Sequence, residues 1–380
     1  MITRNRKEIP HGLHEDLAAK FVHHYGNDSL CYLALSGEKL MFYSKDGQGL
    51  IPYVVIDRVA LSLGDPICSQ EQMSSVLLEF QRFCKMNRWK MCFSSTSEHA
   101  AQAMTDAGLL MFKYGEEAII DLRNYELTGK ATLKLRNKIR ASEKAGLTVF
   151  EYYPSKHRDH DLEDKIDHVS AEWFADKKAK LTFSLGDLHL DTPLQRRYFV
   201  SIDEVGNVHA VLMFSPFMNR CGYFLDVMRR KKSETVPGVM EHAIITAAMK
   251  MKDEGVSLLS LGVVPLAGIC DDNGDLTKKI MKFVFKHVKS DYCFESLYHY
   301  KKKFAPTEWK TRYVAYEKSI PLYQVWLVMI KARRVKGALQ QFAKGVWELL
   351  RNMKKMGKQS VPAVLNLELI NVLLSSCELI

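Results

Sequence analysis

The order of apolar and polar residues along the first half of the chain predicts alternating strands and helices. From about 30 to 63 the apolar residues come in short runs broken by glycine and aspartate, which is typical of a strand meander. A helical period follows, with one apolar face formed by Met73, Val76, Leu77, Phe80 and Phe83. We then expect a strand at 90–94, a helix that ends near Gly108, and strands at 109–114 and 117–122.

The second half repeats this order. A strongly basic helix is expected at 130–145, where Glu143 is the single acid. Further elements are expected as strands near 147–153, 198–203, 207–215, 221–227 and 256–262, helices at 160–176 and 238–253, and a β-hairpin around 291–316. Two acetyltransferase-like α/β domains packed in tandem would show this order twice. The sequence therefore predicts mixed α/β sheets, with domains at 1–128 and 129–318 and a basic amphipathic helical extension at 319–380.

Length and composition narrow the class of protein. A chain of 380 residues is long enough for two domains of ordinary size. Its net charge of +10 favours a polyanionic partner, such as nucleic acid or an acidic membrane face. Its eight cysteines form no CxxC pair and no cluster with histidine at metal-ligand spacing, so we expect no metal site, no disulfide framework and a reducing compartment. Without an apolar leader or a clean apolar run of spanning length, we expect a cytoplasmic protein.

The end of the strand at 221–227 carries the strongest candidate chemistry. Asp226 and Arg229 lie three residues apart there, and the basic turn Arg230-Lys231-Lys232 leads to a helix that begins near Gly238. Backbone N–H groups at a helix N-terminus favour anions, so this junction suits a phosphate-rich substrate. The alternative is that Asp226 and Arg229 form a structural ion pair at the sheet edge.

Several ordered blocks resemble the C-terminal domain of phosphatidylglycerol lysyltransferase, the aminoacyl-phosphatidylglycerol synthase family. The blocks are Leu63-Gly64-Asp65-Pro66, Gly115-Glu116-Glu117-Ala118 with Asp121-Leu122, Leu127-Thr128-Gly129-Lys130, Leu135-Arg136-Asn137, Trp173, Phe183-Ser184-Leu185-Gly186, Asp226-Val227-Met228-Arg229, Leu261-Gly262 with Pro265-Leu266, and Lys301-Lys302-Lys303-Phe304-Ala305-Pro306 with Trp309, Arg312 and Tyr313. They run in register from about 60 to 316.

This resemblance implies an enzyme that takes an aminoacyl group from a charged tRNA. It passes the group to a lipid hydroxyl through a tunnel between the two domains. Asp226 and Arg229 are then catalytic, and the implied substrate-binding residues are Phe183, Ser184, Gly186, Met228, Gly238, Gly262 and Pro265. We expect two departures from the family, the lack of its membrane-embedded N-terminal region and the sequence Lys180-Leu181-Thr182 where members tend to carry an acid. The identity of the transferred amino acid therefore stays open.

Transfer from one ester to another is close to thermoneutral, so the reaction needs no cofactor, only a base, an orienting cation and an oxyanion partner. Asp226 would hold the substrate's α-ammonium or relay a proton, and Arg229 would bind a phosphate. The expected phosphate or tRNA contacts are Lys130, Lys134, Arg136, Lys301, Lys303 and Arg312, unless these cations only form solvated faces. An acetyl-CoA enzyme would carry a glycine-rich turn after Arg229, and this pattern is degraded here.

Other readings remain open. The same fold with an amine or peptide acceptor, or with an acyl-CoA donor, is one alternative, and a non-catalytic lipid- or RNA-binding module is another. Residues 331–358 hold nine cations and one acid among apolar residues, which suits an anionic membrane surface or a helix docked on the body of the protein. We expect a protein that is peripheral at the inner face of the membrane.

Overall fold

One mixed sheet of twelve strands organises the part of the chain that this computed structural model describes, residues 11–35, 39–175, 187–268 and 294–332. In chain order the strands are β1 (Leu40–Tyr43), β2 (Gly49–Ile56), β3 (Val59–Leu63), β4 (Ile67–Cys68), β5 (Lys90–Ser97), β6 (Leu109–Asp121), β7 (Thr148–Tyr152), β8 (Arg197–Ile202), β9 (Val208–Phe217), β10 (Gly222–Arg230), β11 (Leu258–Pro265) and β12 (Glu308–Glu317). Across the sheet the order is β1-β2-β3-β5-β12-β6-β11-β10-β9-β8-β7, and β4 pairs with β2.

Helices pack against this sheet. They are α1 (His11–Tyr25), α2 (Met73–Met86), α3 (Ala101–Asp106), α4 (Leu133–Lys144), α5 (His160–Ala175), α6 (Val239–Asp253), α7 (Phe294–Lys302) and α8 (Leu322–Ala332), and a 3₁₀ helix spans Cys31–Leu35. The period predicted for α2 is confirmed, because Met73, Val76, Leu77 and Phe80 are buried on one face. The predicted α/β fold class is confirmed, while the extension beyond residue 332 lies outside the described residues.

The second half has its core on both faces of β9. All ten residues of Val208–Phe217 are buried, as expected for a strand that is covered on both sides. Leu212 and Phe214 pack in the cluster that contains α6 residues, whereas Val211 and Met213 pack with α5 residues on the other face. Side chains that alternate along β9 therefore point to two different helices.

Each half contains a parallel strand pair joined by a helix. In the first half α2 connects β3 to β5, and in the second half α6 connects β10 to β11. The last strand of each half then pairs in the other half, since β6 lies beside β11 and β12 lies beside β5. β6 and β12 also pair with each other, so the exchanged strands form the middle of one continuous sheet. The domain boundaries at 128 and 318 remain predictions.

The predicted β-hairpin around 291–316 is wrong within the described residues. Residues 294–302 form α7, and Glu308–Glu317 is a single strand. The partners of β12 are β5 and β6, which come much earlier in the chain. Alternation of apolar and polar residues over a short window identifies a strand but not its partner. The predicted hairpin assumed a partner nearby in the chain, and the fold uses distant ones.

Two predicted boundaries also change. The strands predicted at 109–114 and 117–122 are one strand, β6, whose pairing with β12 is irregular near Gly115. A Cβ atom at Gly115 would lie 2.3 Å from the carbonyl oxygen of Val264, so the glycine marks a close strand crossing rather than a turn. The meander predicted from about 30 begins with the 3₁₀ helix and reaches its first strand at Leu40.

Candidate active site at the opening between two parallel strands

The parallel strands β10 and β11 separate after a short paired stretch. Their register joins Gly222–Phe224 to Leu258–Ser260. Beyond it, β10 is irregular between Leu225 and Val227, and β11 is irregular between Ser260 and Val263. Bulges of this kind bend a strand and redirect its side chains. They open a gap in the sheet beside Asp226 and Gly262.

Asp226 is the extra residue of the β10 bulge. Its side chain is buried, and the Ser215 hydroxyl donates a hydrogen bond of 2.8 Å to Asp226 Oδ2. Ser215 is on β9, two residues beyond Met213. Both side chains therefore lie on the same face of the sheet, which packs against α5. The bulge thus turns the Asp226 carboxylate toward that face.

Arg229 is buried three residues further along the same strand. Its Nη2 donates to Asp187 Oδ1 at 3.0 Å, and its guanidinium lies over the Phe174 ring, 4.6 Å from the centroid. Within the described residues the carboxylate partner of Arg229 is Asp187 rather than Asp226. The structural ion pair between Asp226 and Arg229, considered above as the alternative, is therefore not the arrangement found.

Gly262 lies on the opposite side of the opening, in the left-handed region with φ of +86°. A Cβ atom there would lie 3.0 Å from Cε2 of Phe224 and 3.3 Å from Nζ of Lys301. The missing side chain therefore leaves an aromatic ring and an amine next to the backbone. Pro265, also a predicted substrate contact, ends β11 opposite Gly115.

Lys301 is a buried amine at the end of α7, only 6 % exposed. Its Nζ donates to the carbonyl oxygen of Val263 at 3.2 Å. Burial lowers the pKa of Lys301 to about 7, against the opposing effect of the Glu117 carboxylate. A lysine of this kind exchanges a proton near neutral pH, so it suits proton transfer better than the phosphate contact predicted from sequence.

Arg312 occupies a buried ion network instead of the predicted phosphate contact. Its Nε and Nη2 donate to Glu117 Oε2 at 2.9 and 2.5 Å, and Nη1 and Nη2 donate to the two oxygens of Asp28 at 3.1 and 2.9 Å. The carbonyl oxygen of Ser95 and the Ser29 hydroxyl accept further bonds. Each guanidinium nitrogen is thus engaged, and the predicted ligand contact is corrected to a structural role.

The remaining basic residues fall into exposed and structural sets. Lys130 and Lys134 are exposed at the start of α4. Arg136 donates to the carbonyl oxygens of Leu127 and Gly129, both at 3.0 Å, so it holds the loop before its own helix. Lys303, with its Nζ 3.6 Å from Glu241 Oε1, is half-exposed.

Two predicted substrate contacts lie away from the opening. Gly238 precedes α6 with φ of +82°, and a Cβ atom there would lie 2.0 Å from the carbonyl oxygen of Lys138. Close packing of α6 on α4 explains this glycine. Met228 packs on the α6 face, opposite to the face of Asp226. Phe183, Ser184 and Gly186 lie outside the described residues.

Glu172 was missed by sequence reasoning. Its Oε1 accepts hydrogen bonds from the backbone N–H groups of Lys232, at 3.0 Å, and of Ser233. These bonds, with Ser233 the larger contribution, hold the pKa of Glu172 below its ordinary value. The backbone N–H groups of the basic turn are therefore already bound to a carboxylate from α5, that of Glu172. No local pattern signals a contact between residues so far apart in the chain.

Neither a metal site nor a membrane span is found in the part of the chain that the structure describes. Among those residues no group of three or more histidine, cysteine, aspartate or glutamate side chains is placed to hold a metal ion. None of the helices described is both long enough and apolar enough to cross a bilayer.

Two solved structures share the fold of this chain. The solved structure of L-PGS from Bacillus licheniformis superposes with a TM-score of 0.73 at 26% identity, covering 84% of this chain and 96% of that one. The C-terminal domain of a putative lysylphosphatidylglycerol synthetase from Agrobacterium fabrum superposes with a TM-score of 0.73 at 23% identity, covering 87% of this chain and 99% of that one, a likeness of fold.

Residues 19–316 match the family model described as phosphatidylglycerol lysyltransferase, C-terminal, and the chain belongs to this family. It is 28% identical over 326 residues to phosphatidylglycerol lysyltransferase of Bacillus subtilis strain 168, covering 84% of this chain. It is 25% identical over 330 residues to the enzyme of that name from Staphylococcus epidermidis RP62A, covering 87% of this chain. The chain spans only 37% and 38% of the length of these relatives. The resemblance seen in the sequence is confirmed.

Proposed function

We propose that this protein transfers an aminoacyl group from a charged tRNA to the head-group hydroxyl of phosphatidylglycerol. The observation that carries the proposal is the opening between β10 and β11, with the buried Asp226 and Arg229 on β10 and the buried Lys301 at the end of α7 beside Gly262. Membership of the lysyltransferase family supports the type of reaction, and the names of the relatives support the lipid acceptor.

The proposed step exchanges one ester for another. The acceptor oxygen forms a bond to the aminoacyl carbonyl carbon, the bond from that carbon to the tRNA ribose oxygen breaks, and the acceptor proton ends on the ribose hydroxyl. In this scheme Lys301 takes the acceptor proton and returns it to the leaving group, because its pKa is lowered to about 7. Asp226 holds the substrate's α-ammonium, and Arg229 orients a phosphate.

The tRNA donor is supported by the exposed face of α4. Lys130, Lys134, Lys138 and Arg140 are exposed on or beside this helix, Glu143 is the single acid from 130 to 145, and the whole chain carries a charge of +10. A row of exposed cations suits the phosphate backbone of a nucleic acid. An acyl-CoA donor is disfavoured, because Glu172 takes the backbone donors that would otherwise bind a pyrophosphate.

Membrane association is proposed from sequence alone. The segment 331–358 holds nine cations and one acid and falls almost wholly outside the described residues. Each cation near an anionic membrane contributes about 1 kcal/mol, so the double substitution Lys354→Glu and Lys355→Glu should release the full chain from phosphatidylglycerol vesicles. Co-sedimentation at low and high salt measures this release, and unchanged binding would contradict the proposal.

The direct test is incubation of the full chain with a mixture of charged tRNAs and phosphatidylglycerol vesicles. We expect an aminoacylated lipid, detected by mass spectrometry, and its loss when ribonuclease is added first. Vesicles of phosphatidylcholine serve as the control without the acceptor hydroxyls. If no amino acid reaches the lipid, or if coenzyme A thioesters support transfer when tRNA does not, the proposed function is wrong.

A further inference from the structure

Arg196 is a buried cation without a carboxylate partner among the described residues. It comes directly before β8 and is 8 % exposed. Its Nη1 donates to the carbonyl oxygen of Thr192 at 3.3 Å, and its buried Nε has no hydrogen-bond partner. The next residue, Arg197, is fully paired, because its guanidinium binds the carboxylates of Glu151 at 2.7 Å and Glu254 at 2.5 Å. The two arginines show a paired and an unpaired guanidinium side by side.

Aromatic rings and positive charge surround Arg196. Its guanidinium lies over the ring of Tyr32, 5.2 Å from the centroid, in the 3₁₀ helix that comes from the first half of the chain. Burial and then the charge of Arg196 lower the pKa of His189 to about 4, and Lys39 and Arg229 act in the same direction against Asp187. Three cations and one carboxylate therefore act on His189.

Arg196 also lies within electrostatic range of the candidate active site. The phenol of Tyr198 donates to the carbonyl oxygen of His189 at 3.3 Å. The pKa of Tyr198 is raised, first by burial and then by Asp226, while Arg196 opposes the rise. Tyr198 lies opposite Met213 on β9, and Met213 lies opposite Val227, the residue after Asp226 on β10. The unpaired cation, two residues before Tyr198, is therefore two strands away from the strand that carries Asp226.

A buried guanidinium that lacks a counter-charge is unfavourable unless something satisfies it. We propose that Arg196 binds the phosphodiester of the lipid acceptor. An amino acid that is esterified has lost its carboxylate, so the anions of both substrates are phosphodiesters. A guanidinium can donate two parallel hydrogen bonds to two phosphate oxygens. In Arg196 the donors would be Nε and the adjacent Nη nitrogen.

The surroundings favour the lipid over the tRNA as the source of this phosphate. Arg196 is enclosed beside the ring of Tyr32 and near the buried Tyr198, and it is not part of an exposed row of cations. A nucleic acid carries a phosphate at each nucleotide and binds to open rows of cations, of the kind that α4 presents. The assignment rests on the proposed function, because the phosphodiester is that of its acceptor.

The test compares Arg196→Gln and Arg196→Lys with Arg123→Gln as the control. Arg123 is an exposed arginine that pairs with Asp121 at 2.6 Å, outside the site. We expect Arg196→Gln to raise the KM for phosphatidylglycerol on the order of tenfold to a hundredfold, with the KM for charged tRNA unchanged, and Arg196→Lys to recover part of the loss. The melting temperature should not fall, because the substitution removes an unpaired buried charge.

Binding of soluble glycerophosphoglycerol by calorimetry separates this inference from the proposed function. If the wild-type protein binds it and Arg196→Gln does not, the anion site stands even if no transfer is seen. An unchanged KM for the lipid would overturn the inference while leaving transfer intact. A rise in the KM for charged tRNA alone would also overturn it, since the phosphate would then belong to RNA. A lower melting temperature with normal lipid kinetics would reduce Arg196 to a structural residue.

Discussion

The two parallel strand pairs of the sheet follow the same connection but end differently. β3 and β5 pair from Val59–Leu63 to Lys90–Ser94, and the N–H of Gly64 continues the pairing to the carbonyl oxygen of Ser94 at 2.9 Å. β10 and β11 pair over three residues and then separate. Both β5 and β11 carry a residue in the left-handed region, Ser95 with φ of 62° and Gly262 with φ of 86°. A left-handed residue alone therefore does not open a sheet.

The direction of one carboxylate distinguishes the two pairs. In the first half Asp65 accepts from the N–H of Ser97 at 2.8 Å and from its hydroxyl at 2.5 Å, so it links the end of β3 to β5. In the second half the carboxylate of Asp226 accepts a hydrogen bond from Ser215 on the antiparallel neighbour β9. The closed pair is linked at its end and the open pair borders the candidate site, although both arise from the same strand-helix-strand unit.

The largest effect is expected from breaking the ion network beside the closed pair. Arg312→Met would leave Asp28 and Glu117 buried without a counter-charge, and loss of one partner of a buried ion pair costs about 3–5 kcal/mol. Urea unfolding should show this loss in the free energy of unfolding. Arg123→Met, at an exposed pair, should change it little. Near-normal stability of Arg312→Met would mean that the network is not what holds this region together.

The next largest effect is a loss of transfer rate that we expect at Asp226 but not at Asp65. Asp226→Asn and Arg229→Ala should each lower the rate of transfer about a hundredfold or more, because each removes a substrate contact, with the fold retained by circular dichroism. Asp65→Asn is the matched control. Burial, with Asp28 adding to it, raises the pKa of Asp65 to about 7, so an amide removes less negative charge there than it removes from an ordinary carboxylate. Equal losses of transfer for Asp65→Asn and Asp226→Asn would remove the functional distinction between the two strand pairs.

A smaller effect is expected from filling the opening. Gly262→Ala would place a methyl group against Phe224 and Lys301, and we expect transfer to fall about tenfold from this misplacement. Gly255→Ala is the matched control, since Gly255 has φ of +84° with nothing within 4 Å of the added Cβ atom. Both substitutions carry the backbone cost of about 1 kcal/mol, so only the local contact differs. A loss of transfer in both variants would point to strain rather than to the opening.

The last effect is a dependence of stability on pH. In the unfolded chain the pKa of lysine is about 10.4, while burial lowers the pKa of Lys301 to about 7. As pH falls between these values the unfolded chain gains a proton that the folded chain does not, so stability should decline by up to about 1.4 kcal/mol per pH unit. This decline should stop below pH 7. In urea unfolding between pH 7 and 9, Lys301→Met should lose this slope, whereas Lys303→Met should keep it.

Local patterns predicted most single elements of the second half correctly. The helix predicted at 160–176 is His160–Ala175, the helix predicted at 238–253 is Val239–Asp253, and the strand predicted at 221–227 is part of Gly222–Arg230. The hydrophobic period of an element, its terminal residues and the glycine that ends it lie within a few residues of one another. The sequence therefore shows the position of a single element directly. The family was recognised for the same reason, from short blocks in order.

The sequence by itself determined the order of elements, the family and the position of Asp226 and Arg229 at the end of a strand. Only the tertiary structure decided that β6 and β12 exchange between the halves, that Arg312 joins Asp28 to Glu117, and that Asp226 turns to Ser215. Periodicity reports which face of an element is buried, but not which distant element covers it. Whether a buried charge is paired depends on which distant element covers it. Arginine is therefore a paired, structural residue at 312 and an unpaired one at 196.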